Sequence, residues 1–369
     1  MSTGARTSIR VTTEEHPGRV MRAWSELATG IQASPFVHPG WFRAWWKAFG
    51  RGRPVLLVAR RGRELTGVLA LERRRGLRSP TNWHTPEFGV LAEDQPTREA
   101  LVDALFRHGA SALTLDFIDA GGADHETIRH RGAEHHLLER TLQRSPYLVL
   151  DGTWDDFFAS LKSSHRRQLR RLRRRLEESG EVAFEVHDGH TNLDGLLRDG
   201  FRLESSGWKD RQGTAILSDA AITTFYRDVA RWAADQGWLR LAFLTHDDRS
   251  IAFALGVDAN GVTYGLKTGY DPAFRSLGPG RLLQADLIRH TFDVGQRRFE
   301  MVGTDDAYKL SWTNNVHVRL RIHGFAPGLA GFVRRRVIVD GRPLAKRGLE
   351  AVQHGTQRLR GARGGHEGA

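Results

Sequence analysis

Tyr270-Asp-Pro-Ala-Phe-Arg275-Ser-Leu-Gly278-Pro-Gly280-Arg281-Leu282-Leu is the stretch on which the reading of this chain turns. It follows Val262–Tyr270, which patterns as a strand, and precedes Arg281–Val294, which patterns as a helix stopped by Gly295. At such a junction the first helical amides have no partner inside the helix, and the helix dipole favours an anion in front of them. Gly278 and Gly280 would let phosphate oxygens approach the main chain, and Arg275 and Arg281 would add charge-assisted contacts. Pro279 falls where its missing N–H need not break the helix. The same residues could also be a plain Gly/Pro turn that caps a helix.

Upstream, Leu239–Thr245, Ser250–Val257 and Val262–Tyr270 read as three strands joined by short turns at Asp247-Asp248 and Asn260-Gly261, the latter a strong hairpin signal. Before them come an alternating strand at Val182, Phe184 and Val186 and helical patterns over Leu193–Ser205 and Asp219–Asp235. Downstream, Arg298–Val302 and Val316–His323 read as strands around a short helix at Asp306–Trp312. The first 148 residues are mixed α/β. A helical aromatic cluster, Trp41-Phe-Arg-Ala-Trp45-Trp46, starts after Pro39-Gly40; Val55–Arg60 and Glu64–Leu71 flank a turn; Thr97–His108 is helical and Ala112–Phe117 a buried strand. Leu65–Leu71 and Ile251–Val257 each end a strand–turn–strand unit that follows a Trp-containing helix, which points to a duplication. The expected division is 1–148, 149–326 and a basic helical appendage, 327–369, with a disordered end.

Composition narrows the chemistry. With 369 residues and 40% hydrophobic residues the chain can bury two cores, and it has no cysteine. Disulfides, cysteine-ligated zinc, Fe–S clusters and thiol nucleophiles are thereby excluded, and a reducing, cytoplasmic setting is expected. No stretch approaches ~18 consecutive apolar residues, so no membrane span is expected. The spacing of His125, His130, His135 and His136 shares no helix face, so no metal is expected either. Formal net charge is +12, and lysine occurs only at 47, 162, 209, 267, 309 and 346. An arginine-rich surface suits a polyanionic partner, or reflects codon bias.

The order of elements, together with Ser164-His-Arg166 opening a basic helix, Tyr270-Asp271, Leu277-Gly-Pro-Gly280, Gly303, Tyr308-Lys309 and Trp312, resembles the GNAT superfamily of acyl-CoA N-acyltransferases. The closer likeness is to the branch of the cellulose-biosynthesis-associated acetyltransferases, from which Glu300 departs by replacing an aspartate. The resemblance is good over residues 150–325 and looser over 20–120. It implies an α+β fold of two tandem GNAT-like units, each a mainly antiparallel twisted sheet flanked by helices, with only the second holding the glycine loop. It also implies acetyl-CoA or another acyl-CoA as co-substrate, bound by Arg275, Leu277, Gly278, Gly280, Arg281 and Leu282. The thioester would sit in a gap between the strand ending at Tyr270 and the strand Arg298–Val302.

Direct acyl transfer needs a base for the acceptor, donors for the oxyanion and an acid for the thiolate. The resemblance makes Tyr308 the acid, although a packing tyrosine is the alternative. Asp271, Glu300 and Asp305 are candidate bases, each also open to a structural ion pair. Glu300, flanked by Phe299 and Met301, is expected in a rather apolar setting. Arg166, Trp208, Lys209, Tyr270, Lys309 and Trp312 are candidate acceptor contacts, with core packing or surface pairing as the alternative. Eight cations between Lys162 and Arg175, with Leu169, Leu172 and Leu176 as an apolar stripe, give an amphipathic helix whose basic face is either solvated or turned to a polyanion. Two other readings stand beside this one. A Fem-type aminoacyl-tRNA-dependent transferase also pairs two such units but does without the glycine loop. A non-enzymatic nucleic-acid binder lacks a recognition motif here.

Overall fold

A two-residue turn at Asn260-Gly261 fixes the register of the second half of the molecule. Both residues have positive φ (55° and 81°), the type I′ backbone whose twist matches the flanking strands. Asp247 and Asp248 (47° and 60°) make the same kind of turn one strand earlier. These hairpins sit within a computed structural model that describes residues 8–108, 112–206 and 215–339.

Thirteen strands are present among the described residues: β1 Ile9–Glu14, β2 Arg53–Arg61, β3 Glu64–Arg73, β4 Leu77–Arg78, β5 Leu91–Ala92, β6 Leu113–Asp119, β7 His136–Val149, β8 Val182–His187, β9 Leu239–His246, β10 Arg249–Ala259, β11 Val262–Tyr270, β12 Arg298–Glu300 and β13 Val316–Phe325. The α-helices are α1 Met21–Gly30, α2 Pro39–Phe49, α3 Gln95–His108, α4 Ala123–Arg131, α5 Trp154–Ser160, α6 Ser163–Glu177, α7 Leu193–Ser205, α8 Ala220–Asp235, α9 Pro279–Asp293, α10 Ala307–Leu310 and α11 Leu329–Val339. The strands form one continuous sheet in the order β1-β2-β3-β4-β6-β13-β7-β12-β11-β10-β9-β8, with β5 beside β3.

The order is that of two copies of one plan. All neighbours are antiparallel except β4 with β6 and β11 with β12, which hold equivalent places in the two halves. Each half lends a strand to the other. β13, the last strand in sequence, pairs with β6 of the first half, and β7 pairs with β12 of the second. β7 and β13 pair with each other from Pro146 opposite Val316 to His136 opposite Phe325. The expected boundary near residue 148 thus falls at the end of β7, a strand built into both halves.

Helices cover both faces, which places the fold in the α+β class. α3 and α4 seal one face of the first half and α1 and α2 the other. In the second half α5, α6 and α9 share a core with Leu148 and Phe299, while α7 and α8 share one with Phe253 and Tyr264. The Trp-bearing helices α2 and α8 pack on each other. A Cβ on Gly40 would lie 2.1 Å from Trp232 Nε1, so only glycine admits this approach.

A buried ion network pins the junction. His317 of β13 lies 3.1 Å from Glu300 of β12 and 3.6 Å from Asp119 of β6, its ring stacked 4.2 Å from Tyr147 of β7. Burial alone would lower its pKa; the nearby Asp119 and Glu300 carboxylates outweigh burial and push it up to about 9. A histidine raised above its unfolded value of ~6.5 stabilises fully below that pH and loses its contribution as pH rises through about 9. Urea unfolding at pH 6 and at pH 9.5 should therefore show wild-type stability falling more than that of His317→Gln, by on the order of 2–3 kcal/mol. Equal losses in the two proteins would remove the charged histidine from the junction.

Candidate active site

The second half has a gap built into its sheet. β11 and β12 run parallel for only three pairs, Val262–Arg298, Thr263–Phe299 and Tyr264–Glu300. β11 then bulges: Gly256 faces Gly265 and Leu255 faces Lys267, leaving Leu266 as the extra residue. On the other side the chain leaves the sheet through Val302 and Gly303, at φ 33° and 72°. The side chain of Lys309 keeps it there, donating to Val302 O at 2.6 Å and Thr304 O at 2.9 Å. Beyond Tyr264, no strand among the described residues pairs with β11 on that edge.

At the mouth of the gap stands the start of α9. Gly278 caps it at φ 65°, a left-handed backbone, and no side chain caps the helix. A Cβ on Gly278 would also sit 2.8 Å from Leu172 of α6. The carbonyl of Gly278 receives Arg281 N and Leu282 N, and Pro279 has no N–H. Gly280 is half-exposed, its amide has no backbone partner among the described residues, and a Cβ there would meet Tyr270 at 3.2 Å. Arg275 and Arg281 are both exposed beside it. Residues 272–277, expected as open loop, instead wind into a 3-10 turn, and the helix starts two residues before Arg281. Pro272 presets the turn and the Asp271 carboxylate caps it through Ala273 N at 2.9 Å.

The structure brings the candidate residues together unevenly. Tyr308, at the start of α10, is 48% exposed, and desolvation followed by the Asp306 carboxylate pushes its pKa up to about 12. Glu300 lies where the strands part and is 4% exposed. Its expected apolar setting is not what surrounds it: His317 Nε2 lies at 3.1 Å and Arg298 Nη1 at 3.4 Å from one oxygen. The alternation that turns Glu300 away from Phe299 and Met301 turns it toward Arg298, two residues back on the same strand, and His317 of β13. Asp271 is engaged by its cap and by Arg249, and Asp305 pairs with Arg144 at 2.9 Å.

Among the expected acceptor contacts, Arg166 donates to the carbonyls of Ala159 and Leu161 at the end of α5. Trp312 is 5% exposed and packs edge-on against His165. Leu282 is a core residue, 1% exposed, while Leu277 and Tyr270 are half-buried. Trp208 and Lys209 lie outside the described residues. The basic helix forms as α6, with Leu169, Leu172 and Leu176 buried. Among the described residues no three potential metal ligands converge, and no helix is long and apolar enough to cross a membrane.

Sequence reasoning missed a cluster on the opposite face of β11. Lys267 lies 3.5 Å from the fully buried Glu204 of α7 and 5.2 Å from the ring of Tyr226 on α8. Tyr226 in turn hydrogen-bonds His84 of the first half at 3.1 Å. Burial and then the Lys267 charge lower the His84 pKa to about 4, so its ring is neutral at pH 7. A lysine inside an apolar strand was the only signal available, and alternation alone does not identify what it faces. Tyr270 and the α9 start are on one face of β11 and Lys267 on the other.

With this geometry in place, the comparisons with known proteins can be read. Residues 163–310 match the model of the acetyltransferase (GNAT) domain, which includes the bulged strand, the α9 loop and Tyr308. That stretch of the second half is thus similar to GNAT acetyltransferase domains. No curated protein matches the sequence. Among solved structures, FemX superposes with a TM-score of 0.56 at 12% identity, over 85% of this chain and 96% of FemX. The C-terminal domain of a putative lysylphosphatidylglycerol synthetase from Agrobacterium fabrum gives 0.53 at 11% identity, over 83% of this chain and 92% of that one. A conserved protein of unknown function from Bacteroides thetaiotaomicron gives 0.53 at 11% identity, over 86% and 100%. At such identities the likeness is one of fold, and it spans both halves.

Lys309 was an expected acceptor contact, whereas its hydrogen bonds make it a brace of the 302–306 loop. Lys309→Met should destabilise the protein by ~1–3 kcal/mol and speed amide exchange across 302–306, because two carbonyls lose a charged donor. Unchanged stability and exchange would return Lys309 to a role on substrate alone.

Proposed function

We propose that the chain is an acyl-CoA-dependent acyltransferase that moves an acyl group, in the first instance acetyl, onto an amine or hydroxyl of a small-molecule or saccharide-like acceptor. What carries this reading is the uncapped start of α9, with the Gly280 amide and two exposed guanidinium groups beside a gap between parting strands. A diphosphate fits the amides and arginines, and the pantetheine arm can then run along the free edge of β11. In this reading residues 149–326 bind the donor, 1–148 form a degenerate unit without the glycine loop, and the protein works in the cytoplasm.

The acceptor nitrogen or oxygen attacks the thioester carbonyl carbon, the C–S bond breaks, and the thiolate takes a proton. Tyr308, protonated at neutral pH, is the donor we assign to that last step. Amides of the bulged strand around Leu266 would receive the oxyanion. Of the three carboxylates, Glu300 is the one at the point of divergence, and we assign it the acceptor's proton; His317 and Arg298 would hold it oriented.

The likeness to FemX across both halves favours one other reading, the Fem-type aminoacyl-tRNA-dependent transfer, in which α6 would meet the polyanion. Thermal unfolding with CoA, acetyl-CoA and bulk tRNA separates the two. A ligand at ~100 times its dissociation constant stabilises by ~2.7 kcal/mol. CoA and acetyl-CoA should raise the midpoint and tRNA should not, and Gly280→Trp should abolish the CoA response with the fold kept. A shift with tRNA alone, or a full CoA response in Gly280→Trp, would overturn the proposal.

A further inference from the structure

The first half holds a cleft of about 210 Å³ lined by Trp45 and Phe49 of α2, Arg51, Glu72 of β3, Arg74, Arg78 of β4, Ser79, Thr81 and Asn82. Its charge is unbalanced. Arg51, Arg74 and Arg78 are exposed around it, and none of the three makes an ion pair among the described residues. The one carboxylate, Glu72, stands directly across the strand pair from Arg78. It is nevertheless 6% exposed, with one oxygen taken by the amides of Arg51 and Gly52 at 2.8 and 2.7 Å. Three guanidinium groups thus surround a single carboxylate that is already engaged.

The rest of the lining is built for hydrogen bonds. Trp45 is 4% exposed, and its buried indole Nε1 has no partner among the described residues. The Ser79 and Thr81 hydroxyls lie 2.8 Å apart, and the Asn82 side-chain oxygen receives His84 N at 3.0 Å, leaving the carboxamide nitrogen as donor. The cleft also connects to the Lys267 face of β11. Phe49 stacks on His84 (5.6 Å, 12°), His84 bonds Tyr226, and Tyr226 lies beneath Lys267.

We propose that this cleft binds a phosphorylated, hydroxyl-bearing small molecule of monosaccharide size, its phosphate held by Arg51, Arg74 and Arg78 and its hydroxyls by Thr81 and Asn82. Arginine forks match phosphate geometry, and the volume is below the ~300–1,000 Å³ of sites for larger ligands. That this molecule is the acyl acceptor rests on the acyl-transfer reading; that it binds does not.

Calorimetric titration of the full chain with glucose 6-phosphate, inorganic phosphate and glucose tests the binding. Glucose 6-phosphate should bind at least tenfold more tightly than either fragment, and Arg74→Ala/Arg78→Ala should weaken it at least tenfold. The same double variant should keep its CoA response, while Gly280→Trp should keep glucose 6-phosphate and lose CoA. Equal affinity of wild type and the double variant, or glucose 6-phosphate no tighter than inorganic phosphate, overturns the site. Loss of CoA binding in wild type with glucose 6-phosphate retained would instead sink the donor assignment alone.

Discussion

Three residue pairs hold β11 to β12, and the failure of a fourth is the constraint on which the site depends. A parallel ladder would otherwise continue and close the sheet. It is stopped on one side by the bulge at Leu266 and on the other by the left-handed turn at Val302-Gly303. Neither kink stands alone. The bulge is held by the antiparallel partner β10, and the turn by the ammonium group of Lys309. The gap is thus a feature of backbone hydrogen bonding, and the side chains that line it inherit their positions from it.

The two halves are locked by exchange rather than by simple contact. β7 and β13 each complete the other's half, so neither half closes its sheet without the other. Where these strands meet, His317 joins Asp119 of the first half to Glu300 of the second. The same glutamate is our candidate base, so the junction and the chemistry share a residue. The α2–α8 contact adds an apolar seam, set by the absence of a side chain at Gly40. Both joints bring the 79–92 segment of the first half beside α8, where His84 meets Tyr226.

Local patterns were legible and convergences were not. Strand Val262–Tyr270 and helix Leu193–Ser205 match their sequence boundaries because alternation and helical period are properties of a single segment. The glycine loop was visible for the same reason. Strand exchange was invisible, since nothing in Val316–His323 says which half it will join. Arg166 and Lys309 were read as substrate contacts because the carbonyls they serve carry no sequence signature. Glu300 was placed correctly by its alternation with Phe299, but its cationic neighbours come from a strand 17 residues away and from its own strand. Lys267, Glu204, Tyr226 and His84 come from four elements, and no spacing rule links them.

Amide hydrogen exchange with and without CoA tests the central claim most directly, because the claim concerns backbone groups. Bound CoA should slow exchange at Gly280 and Arg281 and at Gly265 and Leu266, where β11 leaves β12, with the first half unchanged. Saturating CoA that leaves those amides exchanging at their free rates, or protects another segment instead, would contradict the account.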